Sequence, residues 1–268
     1  MKGTKKTKEQ LLSEDEIVAI MRNIHGLDVS AYDATFLVKA LEKRRVATST
    51  ETALSYMELL SEDPAEAETF LHSLSVTYSK FFRNPLTFGL LEQVILPGLV
   101  SGEIASAKRD LRIWSAGCAG GQEAWSIAIL LEEMIATWKE PFSYRIFASD
   151  RSEEILALAR SGVYSPSDLG NVRLRQLERY FSKQGDSYAI LPKLKEQIDF
   201  STHDLLNTQS RSPSASIYGD FDLVICSNLL FYYKPEMQRF ILDKLRQNLT
   251  TGGYLVTGET EQKNVESI

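Results

Sequence analysis

Residues 111 to 150 hold the groups best suited to chemistry. An apolar run, Leu111-Arg112-Ile113-Trp114, opens into Ser115-Ala116-Gly117-Cys118-Ala119-Gly120-Gly121 and a helical pattern; a second run, Tyr144-Arg145-Ile146-Phe147-Ala148-Ser149, closes on Asp150. A strand, a glycine turn, a helix and a strand ending in an acid form a half-site for a nucleoside. Glycines let the main chain turn sharply and approach a ligand closely, and the helix offers its N-terminal N–H groups to polar atoms. Asp150 has two carboxylate oxygens, enough to accept from both hydroxyls of a ribose.

The spacing narrows the ligand. Loop and acid lie about 30 residues apart, longer than the roughly 20 of the dinucleotide fingerprint, and no Gly-Lys-Ser/Thr follows the loop. Pyrophosphate and nucleoside triphosphates are therefore disfavoured, and S-adenosylmethionine, with a ribose and no phosphate, fits better.

The elements that must position these groups follow from periodicity. Beyond Gly102, strands are expected near 111–115, 144–149, 197–202, 221–226 and 253–258, with helices near 121–137, 152–160 and 234–249. Such alternation implies a mostly parallel sheet with right-handed crossovers and its crevice at the carboxyl ends of the strands. Four strand ends then converge: Gly117, Asp150, His203-Asp204 and Ser227-Asn228. The last is followed by Leu229, Leu230, Phe231, Tyr232 and Tyr233, an aromatic wall beside an amide. The stretch from Gly162 to Glu196 is too long for an ordinary connection and reads as an inserted subdomain.

The first hundred residues read as helices. Ser13 with Glu16, and Asp63-Pro64 with Glu66, have capping-box spacing. Gly26 is placed to stop the first helix, Tyr32, Phe36, Leu37, Ala40 and Leu41 line one face of the second, and Asn84-Pro85 starts another. Lys43-Arg44-Arg45 complements a helix dipole, or, on a sharper reading, forms a docking patch for an acidic helix.

Composition sets outer bounds. With 43% hydrophobic and 25% charged residues the chain is that of a globular protein. A net charge of −6 and an isoelectric point near 5.3 argue against a nucleic-acid partner. No run of about 18 apolar residues is present to span a bilayer, and the lysine-rich start lacks a signal-peptide core, so a cytoplasmic protein without membrane insertion is expected. Cys118 and Cys226 are expected as reduced thiols, and no metal site is expected.

These residues, with Ser75-Val76-Thr77-Tyr78-Ser79-Lys80-Phe81-Phe82-Arg83 ahead of them, resemble the CheR family of chemotaxis-receptor glutamate O-methyltransferases over nearly the whole chain. The resemblance implies an α/β, Rossmann-like class I methyltransferase sheet with a small inserted subdomain, preceded by an all-α N-terminal domain. Residues 1–84 would form the helical domain, 85–268 the S-adenosylmethionine-dependent domain, and about 162–200 the insertion. It further implies that Thr77 and Ser79 contact the cofactor, and that Arg83 stands at cofactor and methyl acceptor. Gly117 belongs to the cofactor loop, Glu123 lies near the methionine moiety, and Asp150 holds the ribose. Asp204 and Leu205 would contact adenine, Asn228 and Leu229 would lie beside the sulfonium, and Tyr232 would orient the acceptor. Phe81, Phe82, Phe231 and Tyr232 would exclude water. The implied partners are chemoreceptor cytoplasmic helices, with a receptor C-terminal peptide gripped by strand addition on residues 162–200.

The chain also departs from the family pattern. Gln122 replaces the first glutamate of Gly-Glu-Glu-Pro-Tyr-Ser, Ser227 replaces the arginine of Cys-Arg-Asn, and the sequence ends at Ile268 where relatives continue into closing strands. Two other functions therefore stand beside the first: an amine or amide methyltransferase, on a loose likeness of Asn228-Leu229-Leu230-Phe231 to Asn-Pro-Pro-Tyr/Phe, and a cofactor-binding sensor without turnover.

Overall fold

A computed structural model describes residues 14–75, 78–101, 110–139, 141–216 and 219–261. By its contacts the chain divides into two units, Met1–Val76 with Tyr232–Lys234, and Thr77–Phe231 with Pro235–Ile268.

The first unit is built from α1 (Glu14–Asn23), α2 (Ala34–Ala47), α3 (Ala53–Glu62) and α4 (Pro64–Ser73). Their apolar faces bury Ile17, Met21, Leu37, Leu41, Tyr56, Leu60 and Phe70. Asp33 caps α2 by accepting from the N–H of Thr35 and Phe36, and Thr52 with Ser55 forms a reciprocal box at α3. Asp63 caps α4 through the N–H of Ala65, but the expected box with Glu66 does not form. Glu66 is buried, and its carboxylate instead accepts from Arg44 Nε at 2.9 Å, Arg44 Nη2 at 2.6 Å and the Tyr56 hydroxyl at 2.7 Å. The box expected at Ser13 lies outside the described residues. Arg45 is likewise occupied, by Glu42 and the carbonyls of Thr50 and Glu51. Arg44 and Arg45 stand in the last turn of α2, as the helix-dipole reading expects, and brace their own unit beside the exposed Lys43.

Tyr232–Lys234 belongs to this unit by contact, although it lies beyond residue 84. Tyr233 bridges Tyr32 in antiparallel fashion with the rings stacked 5.1 Å apart, and the Tyr232 carbonyl accepts the Asp33 N–H at 2.9 Å. The Tyr232 ring lies 4.7 Å from that of Phe36.

The second unit begins with α5 (Pro85–Leu90), a π-helical turn (Leu91–Ile95) and α6 (Leu96–Ser101). The sheet strands are β1 (Asp110–Ala116), β2 (Ser143–Asp150), β6 (Ile198–Thr202), β7 (Phe221–Cys226) and β8 (Leu249–Thr257), in the order β6-β2-β1-β7-β8 and all parallel. Between them run α7 (Gln122–Ile135), α8 (Glu153–Ser161) and α11 (Pro235–Gln247). Every residue of β7 is buried, as a parallel strand covered on both faces requires. Strand order reverses beside β1, so the crevice opens between the ends of β1 and β7.

The insertion is a three-stranded antiparallel sheet in the order β3-β5-β4, formed by β3 (Val163–Tyr164), β4 (Phe181–Gln184) and β5 (Ser187–Ile190), with α9 (Leu174–Tyr180) and α10 (Pro192–Lys195). Phe81 packs edge-on against its Tyr164 and Phe181 at 4.9 and 5.3 Å, and Phe82 against Phe88 at 5.3 Å. Both rings are therefore core anchors of the sheet unit, and the division between the units falls at Val76 rather than at 84.

Candidate functional site

The glycine loop is shaped by left-handed backbone. Gly117 has φ +73° and Gly121 φ +86°, with Ala119 between them at +47°. A Cβ on Gly121 would stand 2.9 Å from the Ala159 Cβ and 3.2 Å from Phe200, so only glycine allows α7 to start this close to the sheet. The N–H groups of Gly117 and Cys118 both bond to the Ser149 carbonyl, at 2.8 and 2.9 Å, fixing the loop to the end of β2.

Asp150 ends β2. Its Oδ2 accepts the Ala119 N–H at 3.0 Å and its Oδ1 the Ser152 N–H at 3.1 Å, while its carbonyl accepts the His203 N–H at 2.9 Å. Burial raises its carboxyl above the ordinary range against those N–H bonds. The Arg151 N–H also bonds to this carboxylate. His203 is buried beside Trp114 with Nε2 unpartnered among the described residues, and burial with nearby Lys244 pushes its imidazole down to about 4. It is neutral at pH 7. Asp204 is exposed and accepts the Leu206 N–H at 2.8 Å, and Leu205 is buried beside it.

Glu123 stands in the first turn of α7. Ser115 donates to its Oε1 at 2.7 Å, and Ser227, at the end of β7, also hydrogen-bonds to it. Loss of water pushes the carboxyl up to about 7, the nearby Glu261 charge adds to this, and Arg83 opposes it. Arg83 therefore lies within electrostatic reach of Glu123; its Nη1 donates to the Tyr78 carbonyl at 3.2 Å and its guanidinium sits 5.6 Å from the Tyr78 ring.

Asn228 adopts φ +60° at the end of β7 and is buried. Its Oδ1 accepts from Asn84 Nδ2 at 3.2 Å, so the residue after Arg83 reaches the β7 turn. Asn84 was legible only as a helix start; its side chain makes no cap, and its φ of +65° turns the amide elsewhere. Leu229 closes on the glycine loop, its Cδ2 lying 2.8 Å from where a Cβ on Gly117 would stand. Glu261, unassigned from sequence beyond its place in Gly258-Glu259-Thr260-Glu261, bonds to this same turn. Cys118 and Cys226 are free, and burial raises both thiols.

Leu229 thus reaches the Gly117 loop, Glu123 is bonded to Ser115 ahead of it and to Ser227, Asn228 is bonded to Asn84, and Asp150 holds the loop from its other side. Ser79 is half-buried on the approach to Phe81, and Thr77 lies outside the described residues. Tyr232 is placed with the helical unit. The donor set fits S-adenosylmethionine: a glycine cradle at a helix N-terminus, the Glu123 carboxyl in the first turn of that helix, the Asp150 carboxylate at the end of β2, and the buried Gln122 Oε1, unpartnered among the described residues.

Comparison with known proteins agrees. Residues 77–267 match the family described as CheR methyltransferase, SAM binding domain. The chain is 30% identical to the "Chemotaxis protein methyltransferase" of Listeria monocytogenes over 88% of this chain and 85% of that one. It is also 30% identical to that of Escherichia coli, over 77% and 68%. The "Uncharacterized 104.1 kDa protein in hypE 3'region" of Rhodobacter capsulatus is 30% identical over 92% of this chain, which spans only 25% of that protein. With S-adenosylmethionine as its cofactor, the chain belongs to the CheR methyltransferase family.

Proposed function

We propose that the protein transfers a methyl group from S-adenosylmethionine to glutamate side-chain carboxylates of chemoreceptor proteins, giving glutamate methyl esters. The observation that carries this reading is a crevice rich in orienting groups. A glutamate carboxylate, with a pKa of about 4.3, is already a nucleophile at neutral pH and needs only alignment. His203, the histidine at the crevice, is buried and neutral, and its backbone serves Asp150. The curated relatives are named chemotaxis methyltransferases.

When bound, S-adenosylmethionine supplies an electrophilic methyl on sulfur, whose departure leaves a neutral thioether. Asp150 would take the ribose hydroxyls, Asp204 and Leu205 the adenine, and Glu123 the methionine moiety, with Thr77, Ser79 and Gly117 as further cofactor contacts. Asn228 and Leu229 would border the sulfur. Arg83 and Tyr232 would orient the acceptor carboxylate, Arg83 through its two-pronged guanidinium, without clamping it so tightly that its nucleophilicity is lost.

Chemoreceptor helices are the acceptor in this reading. A receptor C-terminal peptide would add to the β4 edge of the small sheet, raising local substrate concentration. The protein would act in the cytoplasm, without nucleic acid. Among the described residues no helix is long and apolar enough to cross a membrane. Incubation with a receptor cytoplasmic fragment, followed by peptide mass mapping, tests the proposal: methylation on glutamate supports it, and methylation confined to lysine, asparagine or glutamine refutes it.

A further inference from the structure

Glu261 closes the described part of the chain and is fully buried. No cation pairs with it among the described residues. Its charge is met instead by main chain: Oε2 accepts from the N–H of Asn228 and of Gly258 at 2.8 Å each, and Oε1 from Leu229 at 2.8 Å and Leu230 at 2.7 Å. A carboxylate removed from water is costly unless hydrogen-bonded, so these four bonds are what keeps it there.

Three of the four donors are consecutive residues of one turn. An apolar side chain could fill the same space, yet it would leave three adjacent N–H groups unpaired and free to rotate. The carboxylate fixes the direction of the backbone at Asn228, whose φ of +60° is a conformation most residues avoid, and so fixes where the amide and the Leu229 side chain point. Leu229 in turn rests on the space above Gly117.

We infer that Glu261 is a positioning residue for methyl transfer, gripping the turn after β7 so that Asn228 and Leu229 stand correctly at the cofactor. This rests on the reading of Asn228 and Leu229 as cofactor contacts; Glu261 itself touches neither cofactor nor acceptor and works through them.

Two variants disturb the grip differently. Glu261→Gln keeps the shape but turns an NH2 toward N–H groups that need an acceptor. Gly258→Ala keeps the carboxylate and displaces it, since a Cβ there would stand 2.8 Å from Glu261 Oε2 and 2.9 Å from Asn228 Nδ2. Each is combined with Asn228→Ala, and S-adenosylmethionine binding is measured by titration calorimetry on protein shown to be folded by circular dichroism. Should Glu261→Gln not fold, Gly258→Ala carries the test.

The expected result is a loss of affinity of about ten-fold in either variant, the scale of one or two bonds to a charged acceptor. Asn228→Ala, damaging in the native background, is expected to add less than about two-fold on top, because residues acting as one unit are not additive. Native affinity in Glu261→Gln or Gly258→Ala, or full additivity with Asn228→Ala, would overturn the inference. Native affinity in Asn228→Ala alone would instead overturn the assignment of Asn228 to the cofactor, and with it the route by which Glu261 acts.

Discussion

Asn84 donates its side-chain amide to Asn228 Oδ1 at 3.2 Å, joining two left-handed residues 144 positions apart in the chain. The bond ties the Phe-Phe-Arg segment to the turn after β7, so Arg83 and Asn228 are held as one arrangement rather than two.

Asn84→Gly tests this coupling, since glycine keeps the φ of +65° without strain and removes only the amide. Because Asn84 makes no cap, α5 should remain intact. The loss of kcat/KM should be about five-fold, near 1 kcal/mol, as for one neutral hydrogen bond. Initial rates that match the native enzyme would contradict it.

Glu123 makes cofactor binding depend on pH. Its carboxyl, pushed up to about 7 by burial and by Glu261, and opposed by Ser115, Ser227 and Arg83, is half protonated at neutral pH. A positively charged methyl donor favours the ionised form, so affinity should rise about ten-fold from pH 6 to pH 8. Glu123→Gln should bind more weakly and with this rise flattened; an unchanged slope would place the titration elsewhere.

The same shift affects stability with the opposite sense. A carboxyl whose folded pKa is raised above its ordinary 4.5 favours the folded state fully below that value, and this contribution is lost as pH rises through about 7. The cofactor-free Glu123→Gln protein should therefore gain in urea midpoint over the native protein above pH 7 and lose that advantage near pH 4. An equal difference at both pH values would contradict the burial of Glu123 as its cause.

Much of this was legible in the sequence, for physical reasons that particular residues show. The five sheet strands could be located because β7 is apolar at every position but Asp222, and β1 and β2 lead into residues whose chemistry is distinctive, Gly117 and Asp150. What could not be read were partnerships across sequence. Glu66 carries capping-box spacing yet turns to Arg44 and Tyr56, because a buried bidentate pair outweighs a local N–H. Phe81 and Phe82 are the same residue type whether they wall a site or anchor a core, and only contact with Tyr164, Phe181 and Phe88 decides it. Glu261 follows β8 like any surface acid, and nothing local marks it as the acceptor for four N–H groups.

The Arg44–Glu66 pair belongs to stability alone. Glu66→Ala strands a partly buried guanidinium and the Tyr56 hydroxyl, and should cost about 2–3 kcal/mol, below the full value for a deeply buried pair because Arg44 keeps some access to water. The urea midpoint should fall while cofactor affinity per folded molecule stays unchanged. A selective loss of cofactor binding would contradict this separation.

The division of labour between Arg83 and Asp150 can be read at saturating cofactor. Arg83→Ala should depress kcat far more than Asp150→Ala, whose defect should appear mainly in KM for S-adenosylmethionine. Equal losses in kcat would count against separate roles.

The most direct measurement incubates the protein with methyl-labelled S-adenosylmethionine and receptor-containing membranes, then treats the labelled protein with mild base and collects volatile methanol. Glutamate methyl esters release their label as methanol, and this is the result expected. Label that withstands base, or no transfer by a protein that binds the cofactor, would contradict carboxyl methylation.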